Sequence, residues 1–272
     1  MAFNLRKELQ GFLSEDIGKG DITSSLLSKK NIQARIISRE SAVVAGVKFA
    51  KEIFAIKGCK VQIRIKDGQT VGPNQVIMTI SGDARNILTC ERTALNLLTR
   101  MSGIATQTTN LVEKIPNKKT RLYATRKTAP GLRFFDKEAV RIGGGEKHRL
   151  RLDEMVMIKD NHIAVSRSLL NLIRSAKRKY KKFEVEVENN SDAILAAKEG
   201  ATIIMLDNFS PAQIKKTIQN LKVKKLRDKV KIEASGGITS KNISQYANTG
   251  VDIISVGSIT NAVKGIDMSL EI

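Results

Sequence analysis

Six basic residues, Arg126, Lys127, Arg133, His148, Arg149 and Lys159, fall on three neighbouring stretches of the chain. An arginine fork grips a carboxylate or phosphate through paired hydrogen bonds, and a lysine adds a compact point charge. Converging on one pocket, such groups would hold a ligand with more than one negative charge. A solvated basic surface is the plainer use of Lys and Arg. It does not explain why Arg126 ends the apolar stretch 121–126, or Lys159 the stretch 155–159.

Two acidic residues, Glu186 and Asp207, stand 21 residues apart at the ends of apolar runs. Carboxylates so placed could accept hydrogen bonds from sugar hydroxyls, help hold a Mg²⁺ that keeps most of its waters, or pair with neighbouring cations. Glu184, Glu186 and Glu188 alternate along one run, so a strand there would point all three to one face. The turns Ser235-Gly236-Gly237 and Gly257-Ser258 let backbone N–H groups approach an anion closely. Gly143-Gly144-Gly145 reads as a mobile loop. The two histidines, His148 and His162, lack zinc spacing and fit structural hydrogen bonding as well as chemistry. Cys59 and Cys90 read as small packing residues.

The elements that must position these residues change character along the chain. Residues 32–39 and 60–66 alternate as half-buried strands, with turns at Asp67-Gly68 and Gly72-Pro73-Asn74. A helix over 85–101 presents Ile87, Leu88, Ala94, Leu95, Leu97, Leu98 and Met101 on one face and ends before Gly103. Beyond it, strand and helix alternate, with strands expected at 121–126, 155–159, 183–188, 202–207, 230–235 and 252–256. Ser210-Pro211 opens one helix, Thr239 caps another over 240–249, and Gly200 and Gly250 stand at helix C-termini. Such alternation builds a parallel sheet. No Gly-x-Gly-x-x-Gly turn and no P-loop is present, which favours an α/β barrel over a doubly wound sheet. Barrel chemistry sits at the C-terminal strand ends. Those ends here are Arg126, Lys159, Glu186 or Glu188, Asp207, the Ser235–Gly237 turn and Gly257-Ser258.

Composition narrows the setting. The chain has 272 residues, 41% apolar and 27% charged, with 4% aromatics and no Trp, which describes a globular protein with an aliphatic core. The N-terminus is charged too early for a signal peptide, and no apolar run approaches the roughly 18 residues of a membrane span. Two cysteines make no disulfide framework, so a soluble, cytoplasmic protein with reduced thiols is expected. Of the net charge of +20, residues 114–182 carry +14.

Motifs in order along nearly the whole chain resemble quinolinate phosphoribosyltransferases. They begin at Glu15-Asp16-Ile17-Gly18-Lys19-Gly20-Asp21-Ile22-Thr23, Glu91-Arg92-Thr93-Ala94-Leu95-Asn96 and Ser102-Gly103-Ile104-Ala105-Thr106. The most specific are Ala124-Thr125-Arg126-Lys127-Thr128-Ala129-Pro130-Gly131-Leu132-Arg133 and Ile158-Lys159-Asp160-Asn161-His162. Glu184–Glu188, Met205-Leu206-Asp207-Asn208, Glu233–Gly237 and Ser255-Val256-Gly257 complete the series.

The resemblance implies an α/β sandwich domain over 1–104, joined by 263–272, and an incomplete seven-stranded α/β barrel over 105–262. It implies a Mg²⁺-dependent pentosyltransferase of NAD biosynthesis. Phosphoribosyl pyrophosphate and quinolinate would give nicotinate mononucleotide, pyrophosphate and carbon dioxide. Arg126, Arg149 and Lys159 match quinolinate ligands, with Lys127 and His148 beside them. Lys127, Lys159, Glu186 and Asp207 match catalytic positions. Glu186 and Asp207 would meet the ribose hydroxyls, with Mg²⁺ held nearby mainly through the substrate, and no residue is assigned as a direct metal ligand. Ser235, Gly236, Gly237, Gly257 and Ser258 match the 5′-phosphate site. Arg92 matches an arginine inserted into a neighbouring subunit's site, which implies a dimer or a hexamer built of dimers.

Two positions depart from the family pattern. Lys147 stands where Asn is usual and Arg151 where Gly is usual, adding two charges near the acceptor pocket. A related group encoded with molybdate transporters would act on another aromatic acid, and the intact Ile158–His162 run favours the quinolinate enzyme. Nucleic-acid binding is the competing class for so basic a chain, with residues 177–182 as its best patch. Such a run is usually a solvated helix end. The expected partners are therefore the two anionic substrates and further copies of the chain, with neither nucleic acid nor membrane.

Overall fold

The structure, a computed structural model, describes residues 4–117 and 119–272. Met1–Phe3, at the start of the stretch read as too charged for a leader, and Lys118, in the basic segment, lie outside the described residues. The chain forms two compact units, one of residues through Thr109 with Glu138–Gly143 and Ala262–Ile272, the other of Asn110–Lys137 and Gly144–Asn261.

The first unit begins with helix α1 (Leu5–Ile17) and carries strands β1 (Asn31–Ser38), β2 (Ala42–Val43), β3 (Lys60–Ile63), β4 (Thr70–Val71) and β5 (Val76–Asp83). Helix α2 (Val47–Ile56) buries Phe49, Ala50, Ile53 and Phe54. The C-terminal strand, Met268–Glu271, pairs antiparallel with β1, so the sheet runs C-terminal strand, β1, β5, β3. Helix α3 (Ala84–Val112) does not stop at Gly103 as the sequence suggested. A Cβ at Gly103 would lie 2.1 Å from the Lys264 carbonyl oxygen, so this glycine admits a neighbouring backbone rather than ending a helix.

The second unit is the alternating region. Its strands are β6 (Arg121–Tyr123), β7 (Val156–Ile158), β8 (Phe183–Val187), β9 (Ile203–Asp207), β10 (Lys231–Ser235) and β11 (Ile253–Ser255). Helices α4 (Arg133–Ile142, its residues from Glu138 on counted with the first unit), α5 (Asp160–Ser166), α6 (Leu169–Lys179), α7 (Asn190–Glu199), α8 (Pro211–Val223), α9 (Ile243–Ala247) and α10 (Ser258–Asn261) intervene. The parallel sheet runs β6-β11-β10-β9-β8-β7, which sets the last strand beside the first, as barrel closure requires. Glu146 bridges Tyr123 on the free side of β6, a seventh position reduced to one residue. The barrel is thus interrupted between Glu146 and β7. Val185, Val187, Ile204, Leu206, Ile232, Ala234 and Ile254 bury one face of this sheet, the near-continuous apolar reading of parallel strands.

Local signals mostly act where they were read. Ser210 accepts from Gln213 N with Pro211 at the first helical position, and Gly200 ends α7 with φ 101°. Thr239 Oγ1 accepts from Lys241 N at 3.3 Å in the turn that leads into this helix, while α9 itself starts later than expected, at Ile243 behind Asn242, whose side chain accepts from Thr239 N at 2.7 Å. Gly143 is no slack loop, because a Cβ there would stand 2.4 Å from the Ala105 carbonyl oxygen. Glu188 falls beyond the end of β8 and is exposed, so two carboxylates rather than three share the inner face.

Candidate active site

The C-terminal rim of the parallel sheet opens into a pocket of about 320 Å³ within the second unit. Strand alternation selects its walls, since Met157 and Lys159, Met205 and Asp207, and Glu233 and Ser235 are each two residues apart. Register aligns them: Glu186 pairs with Met205, Met205 with Glu233, and Asp207 with Ser235. Ser255, the last residue of β11, also lines the pocket, and its hydroxyl is buried without a hydrogen-bond partner among the described residues.

Strand β6 ends at Tyr123, so Arg126 and Lys127 reach the pocket from the loop beyond it rather than from the strand itself. The Lys127 carbonyl oxygen accepts from Thr260 Oγ1 at 2.8 Å, which fixes this loop to α10. Arg126 Nε is buried without a hydrogen-bond partner among the described residues. Lys159 sits at the N-terminus of α5, where its backbone N–H donates to His162 Nδ1 at 3.0 Å. His162 is therefore the cap that orients Lys159, not a pocket residue. Lys159 Nζ donates to Glu186 Oε2.

Arg149 and His148 enter from the segment between α4 and β7. Arg149 Nη1 donates to the Met155 carbonyl at 2.9 Å. Sequence reasoning missed what anchors this segment. Lys137, on the buried face of α4, donates from Nζ to the carbonyl oxygens of Lys147 and, at 2.6 Å, Arg149. Burial first, then the charge of Arg133, pushes the Lys137 ammonium down to about 8. Among the charged neighbours Arg133, Asp136, Glu138 and Arg141, nothing in the sequence singles it out. Arg133 also serves the scaffold, donating to Thr128 Oγ1 at 3.1 Å and the Leu150 carbonyl at 3.2 Å.

Under the pocket, His148 Nε2 lies 3.1 Å from Glu184 Oε2 and 3.7 Å from Glu233 Oε2. Both acids are fully buried. Burial alone would lower the imidazole pKa, but contact with the two carboxylates and their charge outweigh it and hold His148 up to about 9. Burial and the neighbouring Glu233 push the Glu184 carboxyl up.

The glycine turns are dictated by close approach. Gly236 has φ +89°, and a Cβ there would sit 2.1 Å from Asn208 Oδ1, because the loop after β9 crosses the turn and Asn208 N donates to the Ser235 carbonyl at 2.9 Å. Of the expected phosphate residues, Ser235 lines the pocket; Gly236, Gly237, Gly257 and Ser258 continue the chain directly from its rim. Arg92 does not line this pocket and is exposed on α3 in the first unit. Neither departing residue lines it either, and Arg151 is exposed and paired with Asp153 at 3.1 Å.

Comparison with known proteins agrees with this fold. Residues 21–102 match the quinolinate phosphoribosyl transferase N-terminal domain and residues 104–271 its C-terminal domain. A relative from Methanothermobacter thermautotrophicus, named "Probable nicotinate-nucleotide pyrophosphorylase (carboxylating)", is 46% identical over 97% of each chain. The Mycobacterium leprae nicotinate-nucleotide pyrophosphorylase (carboxylating) is 37% identical, covering 98% of this chain and 96% of its own. Among solved structures, the nicotinate-nucleotide pyrophosphorylase of Ehrlichia chaffeensis superposes with a TM-score of 0.93 at 35% identity, covering 100% of this chain and 99% of its own. That of Francisella tularensis gives 0.90 at 40% identity, covering 98% and 95%. Matched across both of its domains, this chain is a member of the quinolinate phosphoribosyl transferase family.

Proposed function

We propose that this chain transfers the phosphoribosyl group of phosphoribosyl pyrophosphate to quinolinate and decarboxylates the product to nicotinate mononucleotide. One observation carries the reading: a single cavity on the strand-end rim is lined by four cations, Arg126, Lys127, Arg149 and Lys159, together with the carboxylates Glu186 and Asp207. In this assignment Arg126, Arg149 and Lys159 hold the two carboxylates of quinolinate, with Lys127 and His148 beside them. Pinning both carboxylates aims the ring nitrogen at the ribose C1 and removes orientational entropy from the barrier. Glu186 and Asp207 accept from ribose hydroxyls and answer the positive charge that grows at C1 as pyrophosphate leaves. The Ser235–Gly237 and Gly257-Ser258 turns take the 5′-phosphate, where small residues let backbone N–H groups come close.

Hard oxygen donors at Glu186 and Asp207 suit Mg²⁺, and Asp207 is already oriented by Asn208 Nδ2 at 2.7 Å. When bound, Mg²⁺ would neutralise charge on the pyrophosphate leaving group. Arg92 completes the pocket of a neighbouring copy in this reading, so mixing Arg92→Ala with Lys159→Ala protein restores activity in hybrid dimers; no recovery after subunit exchange removes Arg92 from the site. The described thiols, Cys59 and Cys90, are buried and unpaired, as suits a reducing cytoplasm. No helix of the described residues is long and apolar enough to cross a membrane.

The deciding assay is stoichiometric. With Mg²⁺, each quinolinate consumed yields one pyrophosphate and one carbon dioxide. Turnover of another aromatic acid, with none of quinolinate, would replace the acceptor assignment.

A further inference from the structure

In the cluster under the pocket, Glu184 and Glu233 have no part in binding either substrate as assigned above, and His148 stands beside the quinolinate ligands without a chemical task. Two carboxylates, Glu184 from β8 and Glu233 from β10, lie in the barrel interior, and among the described residues none other than His148 offers a donor to their four oxygens. Each carboxylate taken from water costs several kcal/mol unless a cation answers it. His148 is the basic group in contact with both, through Nε2.

The remaining surroundings fix the ring rather than compete for its proton. Tyr123 from β6 meets it edge-on at 5.5 Å. Glu146 and Arg149 flank it on its own segment, and Lys137 from α4 is occupied by the carbonyls on either side of it. The backbone at His148 has φ +51°, a conformation a non-glycine residue keeps only where its surroundings impose it. The same side chain lines the pocket, so the imidazole stands between the substrate cavity and the sealed acids.

The proposed reaction needs a proton that none of the binding roles supplies. After phosphoribosyl transfer, the bond from ring C2 to its carboxylate breaks, carbon dioxide leaves, and the electron pair stays on C2 beside the cationic ring nitrogen. A C2–H bond must then form. We propose that His148 is the catalytic residue that delivers this proton, and that Glu184 and Glu233 are positioning residues that keep its Nε2–H in place and leave Nδ1–H to be given. The imidazolium becomes neutral imidazole as C2 is protonated, and solvent returns the proton when products leave. Charge balances, and no further reactant is required. Arginine holds its proton too firmly for this step, and Lys159 is committed to an acceptor carboxylate in the assignment above.

The proposal rests on the functional reading above, and two measurements separate their fates. First, the chain has two histidines, so ring NMR of the free protein resolves them. One ring should remain imidazolium at pH 8 and titrate near 9, falling by at least about one pH unit in Glu184→Gln or Glu233→Gln. A His148 ring that is neutral at pH 7.5 in the wild type overturns the proposal. Second, a single turnover of His148→Gln with Mg²⁺, quinolinate and phosphoribosyl pyrophosphate should release pyrophosphate ahead of carbon dioxide. The decarboxylation step should slow at least about 100-fold, and the dicarboxylated mononucleotide should accumulate. In the two glutamine variants the alkaline limb of carbon dioxide formation should move to lower pH, which a merely structural role would not produce. Simultaneous release of both products at the wild-type rate in His148→Gln overturns the donor role. A wild-type protein inert toward quinolinate overturns the functional reading and the donor role with it, while the NMR titration still judges the charged cluster.

Discussion

Glu184 and Glu186 stand two residues apart on β8, face the same way, and each meets a cation, yet the two pairs live in different solvents. The inner one, Glu184 with His148, has side chains 0% and 7% exposed. The outer one, Glu186 with Lys159, has 11% and 38%. Sealed charges repay their lost hydration only while they stay together, and separating them costs about 3–5 kcal/mol. A pair whose cation is open to water falls below that, toward the roughly 0–1 kcal/mol of exposed pairs. The inner pair is therefore a fixture. The outer pair is a placeholder whose members can be exchanged for substrate, Lys159 toward an acceptor carboxylate and Glu186 toward a sugar hydroxyl.

The sharpest way to break this contrast is Lys159→Ala. If the outer pair belongs to the substrate, kcat/KM for quinolinate should fall by at least about 10³, or about 4 kcal/mol of transition-state stabilisation, while unfolding free energy changes by no more than about 1 kcal/mol. Steady-state kinetics beside thermal unfolding reads both. Lost stability with retained turnover would make Lys159–Glu186 structural and erase the difference between the pairs.

The inner pair should show itself in stability against pH. Below His148's ordinary value near 6.5, both folded and unfolded chains hold the proton. As pH rises toward about 9 the unfolded chain releases it and the native one keeps it, so stability is lost through that window, by about 3 kcal/mol at most. Glu184, raised from its ordinary 4.5, acts in the same direction. Lys137, lowered to about 8, acts in the opposite one once pH exceeds 8, which leaves 6.5 to 8 as the clean interval. Denaturant unfolding at several pH values should decline there in the wild type and stay flatter in Glu184→Gln. Parallel curves would mean that no proton is held by the inner pair.

Depth is what the sequence could not convey. A period of two places Glu184 and Glu186 on one face, and the motif placed Glu186 at a strand end, so the outer pair was legible. The inner pair needed Glu233, contributed by a strand two positions away in the sheet and 49 residues on, and no local pattern relates it to His148. Strand ends and helix caps at Lys159, Asp207 and Ser210 were readable because they depend on neighbours in the chain. Gly103 and Gly143 misled for the converse reason. Their missing side chains answer backbone from elsewhere, Lys264 and Ala105, and a glycine looks the same whether it bends the chain or admits a neighbour.

Arg151 tests the comparison at its weakest end. It adds a positive charge two residues from Arg149, where the family pattern raised the question of an altered acceptor site. The side chain is 64% exposed and turned to Asp153 at 3.1 Å and Glu154 at 3.7 Å, outside the cavity lining. In water, charges answered this locally contribute little beyond a Debye length of about 8–10 Å. Arg151→Gly should therefore change stability by less than about 0.5 kcal/mol and the KM for quinolinate by less than about twofold at physiological salt. A several-fold rise in KM that vanishes at high salt would mean that exposed charge steers the acceptor, and exposure alone would then no longer separate the placeholder cations from the rest of the basic surface.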